Sequence, residues 1–214
     1  MKHAPRKIGL LGGSFNPAHG GHLAISLDAM EALGLDEVWW LVSPGNPLKA
    51  QAGMAPLTAR VMSAKSLARR APIRVSAIEM ELGTRYTDDT LAALTRRYPR
   101  LTFIWLMGAD NLAQFDQWRN WQDIARTMAI AVIARPGYNK AAYGSTAMAW
   151  FRRFVRPVNQ RKSWTNWRLP ALVLLRFRPD PRSATLLRQK APNWHRIHAH
   201  ATPRDDVTGR LITS

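Results

Sequence analysis

The 214-residue chain contains no cysteine. Disulfide scaffolds, thiolate zinc sites and cysteine nucleophiles are therefore excluded. A reducing, cytoplasmic setting is expected. No apolar run approaches the roughly 18 residues that a membrane span needs. The basic stretch Met1 to Lys7 runs into a sequence broken at Gly12 and Gly13, without the h-region and cleavage site of a signal peptide. Acids are scarce: 14 Asp plus Glu face 31 Lys plus Arg, for a net charge of +17. The imbalance is uneven. Residues 1–138 carry 16 basic and 11 acidic side chains, 139–214 carry 15 and 3, and 139–168 carry no acid at all. Such a chain needs an anionic partner or counterions, and composition leaves the partner open among nucleic acid, anionic lipid and phosphorylated metabolites.

Hydrophobic residues make up 46% and charged residues 21%. These are the proportions of a globular domain, which excludes disorder of the whole chain. The length suits one sizeable core. Periodicity predicts a first strand over Lys7–Leu11, a helix over Gly20–Leu33 stopped by Gly34, and a strand over Glu37–Val42. It continues with a helix over Pro56–Arg70, a strand over Ile73–Ile78 and a helix over Asp88–Tyr98. Leu101–Met107 and Met128–Ala134 read as buried strands flanking an interrupted helical stretch, Asn111–Arg126. The basic segment 139–168 is looser. Ala171–Phe177 reads as another strand and Ser183–Lys190 as a helix. Alternating strands and helices, with near-continuous apolar strands, predict an α/β fold: a doubly wound, mostly parallel, Rossmann-like sheet. Its ligand crevice should lie at the carboxyl ends of the strands. One domain over 1–190 is expected, with 139–168 as a basic insert and 191–214 as a tail.

The informative stretch is Gly12-Gly13-Ser14-Phe15-Asn16-Pro17-Ala18-His19-Gly20-Gly21-His22-Leu23, between the first strand and the first helix. Neither G-x-G-x-x-G nor a P-loop is present. What stands there is a glycine turn followed by two histidines three apart at a helix start. Glycine lets a phosphate approach the backbone, a helix N-terminus attracts anions, and the two imidazoles share a face. Each can donate a hydrogen bond to phosphoryl oxygens.

This string resembles the G-G-[ST]-F-[DN]-P-x-H-x-G-H signature of the nucleotidyltransferases that make dinucleotide cofactors. More narrowly, the chain resembles the bacterial nicotinate-nucleotide adenylyltransferases. Further matches follow in order: Asn46-Pro47-Leu48-Lys49, Tyr86-Thr87-Asp88-Asp89-Thr90-Leu91, Gly108-Ala109-Asp110, Arg135-Pro136-Gly137, and Ser183-Ala184-Thr185-Leu186-Leu187-Arg188. The last has alanine where the family's S-S-T-x-[IL]-R has its central serine. The phosphopantetheine branch usually carries threonine where this chain has His19.

The resemblance implies adenylyl transfer from ATP to nicotinate mononucleotide, with Mg²⁺ entering on ATP. It implies His19, His22, Lys49 and Arg188 as catalytic. Gly12, Gly13, Ser14, Phe15, Gly108, Asp110, Ser183 and Thr185 would join them around ATP. Asn46, Lys49, Tyr86, Thr87, Trp118 and Arg135 would hold the mononucleotide, Trp118 stacking on the pyridine ring. No metal site built from protein side chains is expected. Three alternatives stand beside this reading. One keeps the enzyme but changes the acceptor to nicotinamide mononucleotide or phosphopantetheine. One makes the basic segment, with Trp150, Trp164 and Trp167 among its arginines, a nucleic-acid surface. One assigns metal to His195, His198 and His200 of the tail, which otherwise reads as a flexible or docking segment.

Overall fold

The computed structural model describes residues 4–45, 53–134, 137, 139–178, 180 and 182–213. Strands β1 (Arg6–Gly13), β2 (Glu37–Val42), β3 (Ile73–Ser76), β4 (Leu101–Gly108), β5 (Ala129–Ile133) and β6 (Leu172–Leu175) form one sheet. All neighbouring pairs are parallel, in the order β3-β2-β1-β4-β5-β6. The doubly wound parallel sheet expected from the alternation is the fold. Helices α1 (Gly20–Leu33), α2 (Leu57–Ala68), α3 (Ile78–Leu82), α4 (Thr87–Arg97), α5 (Ala109–Leu112), α6 (Trp121–Thr127), α7 (Asn139–Tyr143), α8 (Thr146–Phe151) and α9 (Ala184–Lys190) connect and cover it.

Alternation along the strands divides the interior in two. Leu11, Trp40, Val42 and Leu106 point to the face covered by α1 and α2. Leu10, Trp39, Leu41 and Trp105 point to the other, where Leu91, Leu94, Phe115 and Ile124 wait. Side chains of period two feed both layers, so no strand has a polar face. The chain reverses its winding direction between β1 and β4. Leu11 pairs with Leu106, which ends both strands at one height and opens a crevice there.

Three boundaries differ from the periodic reading. The strand starting at Ile73 stops at Ser76, because the Asp205 carboxylate accepts from the Ser76 hydroxyl (2.7 Å) and the Ala77 N–H (2.7 Å). The Ser76 hydroxyl in turn accepts from Ile78 N–H at 3.1 Å and starts α3. The stretch 111–126 is α5, a 3₁₀ turn at Phe115–Gln117 and α6. Asn120, at φ 48°, breaks the helical path. The basic segment 139–168 is folded: α7, α8 and 3₁₀ turns cover the β6 edge. Trp164 is buried and donates its indole N–H to Leu33 O at 3.0 Å. It is core, turned away from any passing base.

The tail also folds back. The 3₁₀ turn Trp194–His198 packs on α2. Asp206 accepts from Val75 N–H at 2.9 Å and pairs with Lys65 at 2.5 Å. Among the described residues no helix is long and apolar enough to cross a membrane.

Candidate active site at the switch point

A cleft of about 620 Å³ opens above the carboxyl ends of β1 and β4. Its wall includes Gly12 to Phe15, His19, His22, Tyr86, Thr87, Gly108, Asp110, Trp118, Ser183 and Thr185. The topology thus gathers motifs separated by up to 170 residues of chain into one cavity. Arg188 is not part of that wall but donates to Asn16 and Thr185, which are. Asn46, Lys49 and Arg135 lie outside the described residues.

The two histidines build the start of α1 themselves. His19 is the N-cap, and its Nδ1 accepts from Gly21 N–H at 3.1 Å. His22 Nδ1 accepts from His19 N–H, also at 3.1 Å. This is a capping box made of imidazoles, in the positions usually held by a hydroxyl and a carboxylate. Its chemical consequence concerns the tautomer. A ring nitrogen that accepts a backbone N–H carries no proton there, so the proton of each neutral ring sits on Nε2. Each ring therefore presents a donor, which suits anionic oxygen. The ring centroids are 3.9 Å apart. His22 rests on Phe15 (4.8 Å), which stacks on Trp40 (5.1 Å). The Trp40 indole donates to Ser26 Oγ and Ser26 donates to His22 O, each at 2.8 Å. Packing and a hydrogen-bond relay hold the ring in place.

The loop before α1 is equally constrained. Phe15 takes a left-handed backbone, φ 46°, while fully buried. Such a conformation in a non-glycine residue persists only where its surroundings impose it. Arg60 imposes much of it. This buried guanidinium donates to Ala55 O (2.9 Å), Ser14 O (2.8 Å), Ser43 O (2.7 Å) and Pro44 O (3.2 Å). One cation ties together the loops after β1 and β2. Arg188 donates to Asn16 O at 2.7 Å and to Thr185 Oγ1 at 3.3 Å, so α9 is fastened to the same loop.

The glycines of the cleft wall also make room for neighbouring side chains. A Cβ on Gly12 would stand 2.5 Å from the Trp105 ring, and one on Gly13 3.3 Å from Phe15. Each missing Cβ makes room for an aromatic ring, while both glycines remain part of the cleft wall. At Gly108 the missing Cβ admits the Asp110 carboxylate, 2.3 Å from where that carbon would be. Ser183 is the N-cap of α9, its Oγ accepting from Leu186 N–H at 3.2 Å.

On the opposite wall, the side chain of Tyr86, the N-cap of α4, makes no capping hydrogen bond, while the Asp88 carboxylate accepts from the Asp89 N–H. Arg119 lies 4.1 Å over the Tyr86 ring and forks onto Asp88 at 2.8–3.2 Å. Burial would raise the Asp88 carboxyl, but Arg119 and Asn120 together hold it below the usual range. Trp118 is half-buried beside Trp105 and Phe115, at 6.4 and 5.3 Å.

Sequence reasoning missed Arg60, Glu79, Arg119, Asp180 and Arg182. Arg60 left one signal: a charge on the apolar stripe Leu57-Val61-Ala64 of α2. Glu79 lines the cleft near Arg60 and Ser43. Burial pushes its carboxyl up to about 7, against a Ser43 hydrogen bond and the pull of Arg60. Burial also lowers Arg60, to about 10. Among the described residues no group of three or more His, Asp or Glu is placed to hold a metal ion, and this includes the tail histidines.

A Rossmann-like sheet whose switch-point loop runs into a histidine-capped helix defines a nucleotidyltransferase. Residues 10–190 match the cytidylyltransferase-like family. The chain is 60% identical over 206 residues to a probable nicotinate-nucleotide adenylyltransferase of Erythrobacter litoralis, covering 96% of this chain and 94% of that protein. It is 50% identical to one from Parvibaculum lavamentivorans, over 86% and 92%. A solved Plasmodium falciparum nicotinic acid mononucleotide adenylyltransferase complexed with NaAD shares the fold. Its TM-score is 0.62 at 15% identity, covering 86% of this chain and 83% of that one. The chain belongs to the cytidylyltransferase-like nucleotidyltransferases, and within them to the nicotinate-nucleotide adenylyltransferase family.

Proposed function

We propose that the protein transfers the adenylyl group of ATP to nicotinate mononucleotide, giving deamido-NAD and pyrophosphate. The observation that carries this reading is the imidazole capping box at the switch point, with both Nδ1 atoms accepting backbone N–H groups at the mouth of the cleft. A phosphate oxygen of the mononucleotide attacks the α-phosphorus of ATP. The bond from that phosphorus to the bridging oxygen breaks, and pyrophosphate leaves with the electron pair. The nucleophile arrives anionic, so no base is required. The protein's task is to align two anions and to spread growing negative charge.

His22 would donate to the α-phosphate and His19 to its neighbour, with Ser14 and Phe15 shaping the loop. Gly108 and Asp110 would border the adenosine. Ser183, Thr185 and Arg188 would hold the leaving pyrophosphate, Lys49 the bridging oxygen and Arg135 the acceptor phosphate. Mg²⁺ would enter as the counterion of ATP, carried on phosphate oxygens and water. Trp118 would stack on the nicotinate ring. The start of α4 at Tyr86 and Thr87 would offer backbone N–H donors to its carboxylate. Donors on that side favour an acid over an amide, which needs an acceptor as well. We place the reaction in the cytoplasm, in keeping with the cysteine-free sequence.

The test is pyrophosphate release with ATP and a panel of acceptors. Turnover should be highest with nicotinate mononucleotide, lower with nicotinamide mononucleotide and absent with phosphopantetheine. Equal efficiency with acid and amide would refute the assigned specificity. Failure with every acceptor would refute the activity.

A further inference from the structure

Two residues on the approach to α9 lie outside every motif described above, yet face the centre of the site. Asp180 and Arg182 both line the cleft. Arg182 is tied to Asp180 by a two-pronged guanidinium contact, with Nε at 2.8 Å from Oδ1 and the second prong on Oδ2. Its backbone N–H adds a third bond to Oδ1 at 2.9 Å. The Asp180 carboxyl, nearly covered, is held down at about 2 by these contacts, with His19 contributing a smaller attraction. The Arg182 side chain is 59% exposed, so it is held by charge and not by packing.

Its position is set by Gly20. A Cβ there would fall 1.9 Å from an Arg182 terminal nitrogen and 2.0 Å from the guanidinium carbon. The guanidinium therefore lies directly on the first residue of α1, between the two capping histidines in sequence. That is where the helix N–H groups and dipole draw an anion. Asp180 meanwhile places a carboxylate at the same mouth. A phosphate arriving there meets one group that attracts it and one that repels it, and the two are bound to each other.

We propose that Arg182 is an additional ligand of the ATP triphosphate and that Asp180 is its resident counterion, exchanged for phosphate when the nucleotide binds. Guanidinium binds phosphate and carboxylate with the same fork geometry, so one partner can replace the other without loss of hydrogen bonds. Asp180 then acts as an internal competitor that weakens nucleotide binding, while Arg182 strengthens it. The inference rests on the adenylyl-transfer reading of this cleft.

The experiment is calorimetric titration with a non-hydrolysable ATP analogue plus Mg²⁺, and separately with inorganic tripolyphosphate. It compares wild type with Arg182→Gln, Asp180→Asn and the double variant. Arg182→Gln should weaken binding of both probes about tenfold or more, because it removes a cation and unmasks the carboxylate. Asp180→Asn should tighten binding about threefold. The double variant should recover only part of what Arg182→Gln loses, because the repelling carboxylate is gone but so is the cation, and groups in contact give a non-additive result. In turnover, Arg182→Gln should raise KM for ATP and leave KM for the acceptor unchanged, and Arg182→Lys should restore part of the difference. Equal weakening by both single substitutions would assign the pair a purely structural role and overturn the proposal. So would unchanged affinity in Arg182→Gln. Wild type that binds tripolyphosphate but not the nucleotide would sink the adenylyl reading and leave the anion site standing. Wild type that binds neither would remove both.

Discussion

Replacing Arg60 by methionine keeps the bulk of the side chain and deletes its charge and donors. Four backbone oxygens, from Ser14, Ser43, Pro44 and Ala55, then lose their partner. Hydrogen bonds involving a charged group contribute about 1.5–3 kcal/mol each. The full sum is not lost, because the cost of burying the guanidinium disappears with it. Breaking a buried, fully bonded charge typically costs about 3–5 kcal/mol, and that range is expected here. For a chain of this size, 1 kcal/mol moves Tm by about 2–4 °C, so Tm should fall by about 6–20 °C. The damage should concentrate on the loop that carries Ser14 and Phe15. A displacement of order 1 Å there can reduce turnover about a hundredfold. Arg60→Lys should be intermediate, since an ammonium cannot reach four carbonyls spread around a planar fork. The assay is urea unfolding and steady-state pyrophosphate release on the same preparation. A loss under about 1 kcal/mol, together with near-normal turnover, would refute the assignment of Arg60 as the tie between the two loops.

His22→Ala should lower turnover by about 10²–10³ through lost charge stabilisation. Its stability should change by only about 1 kcal/mol, the value of a helix cap; near-normal kcat would show its ring is not aimed at the reacting phosphate. Asp205→Ala should cost about 2–4 kcal/mol, because its carboxylate accepts from Ser76, Ala77, Val207 and Thr208. Hydrogen exchange should quicken at β3 and the tail, and unchanged protection there would count against the clasp. Glu79 is raised from 4.5 to about 7. The folded state therefore holds a proton that the unfolded state has released between these values, and stability falls as pH rises through that window. The loss should be about 3 kcal/mol, levelling off above the folded value. Urea midpoints of Glu79→Gln measured across the window should lack that component; an unaltered slope would disprove its origin in Glu79.

Much of the fold was legible from one dimension. Strands such as Glu37–Val42 and Leu101–Gly108 are apolar but for Glu37 and Thr102 near their starts, because both faces of the sheet are covered, and helices alternate with them. The helix Gly20–Leu33 was marked at its end by Gly34. The cleft's best-marked wall was legible too, since His19 and His22 sit three apart at a helix start. Periodicity failed where a distant group intervened. The carboxylate of Asp205, 129 residues along the chain from Ser76, ends β3 early. The pairing of Arg182 with Asp180 is local in sequence, but its meaning depends on Gly20, far away along the chain.

Local spacing and composition thus determined the element order, the glycine turn that runs into two histidines, and the strongly basic character of the chain. Those properties arise within a few residues or from the chain's total charge. Tertiary structure alone decided the buried bracing by Arg60, the raised carboxyl of Glu79 and the docked tail. Each of these depends on burial and on oxygen and nitrogen atoms brought within about 3 Å across long separations. Such distances exist only once the sheet has closed.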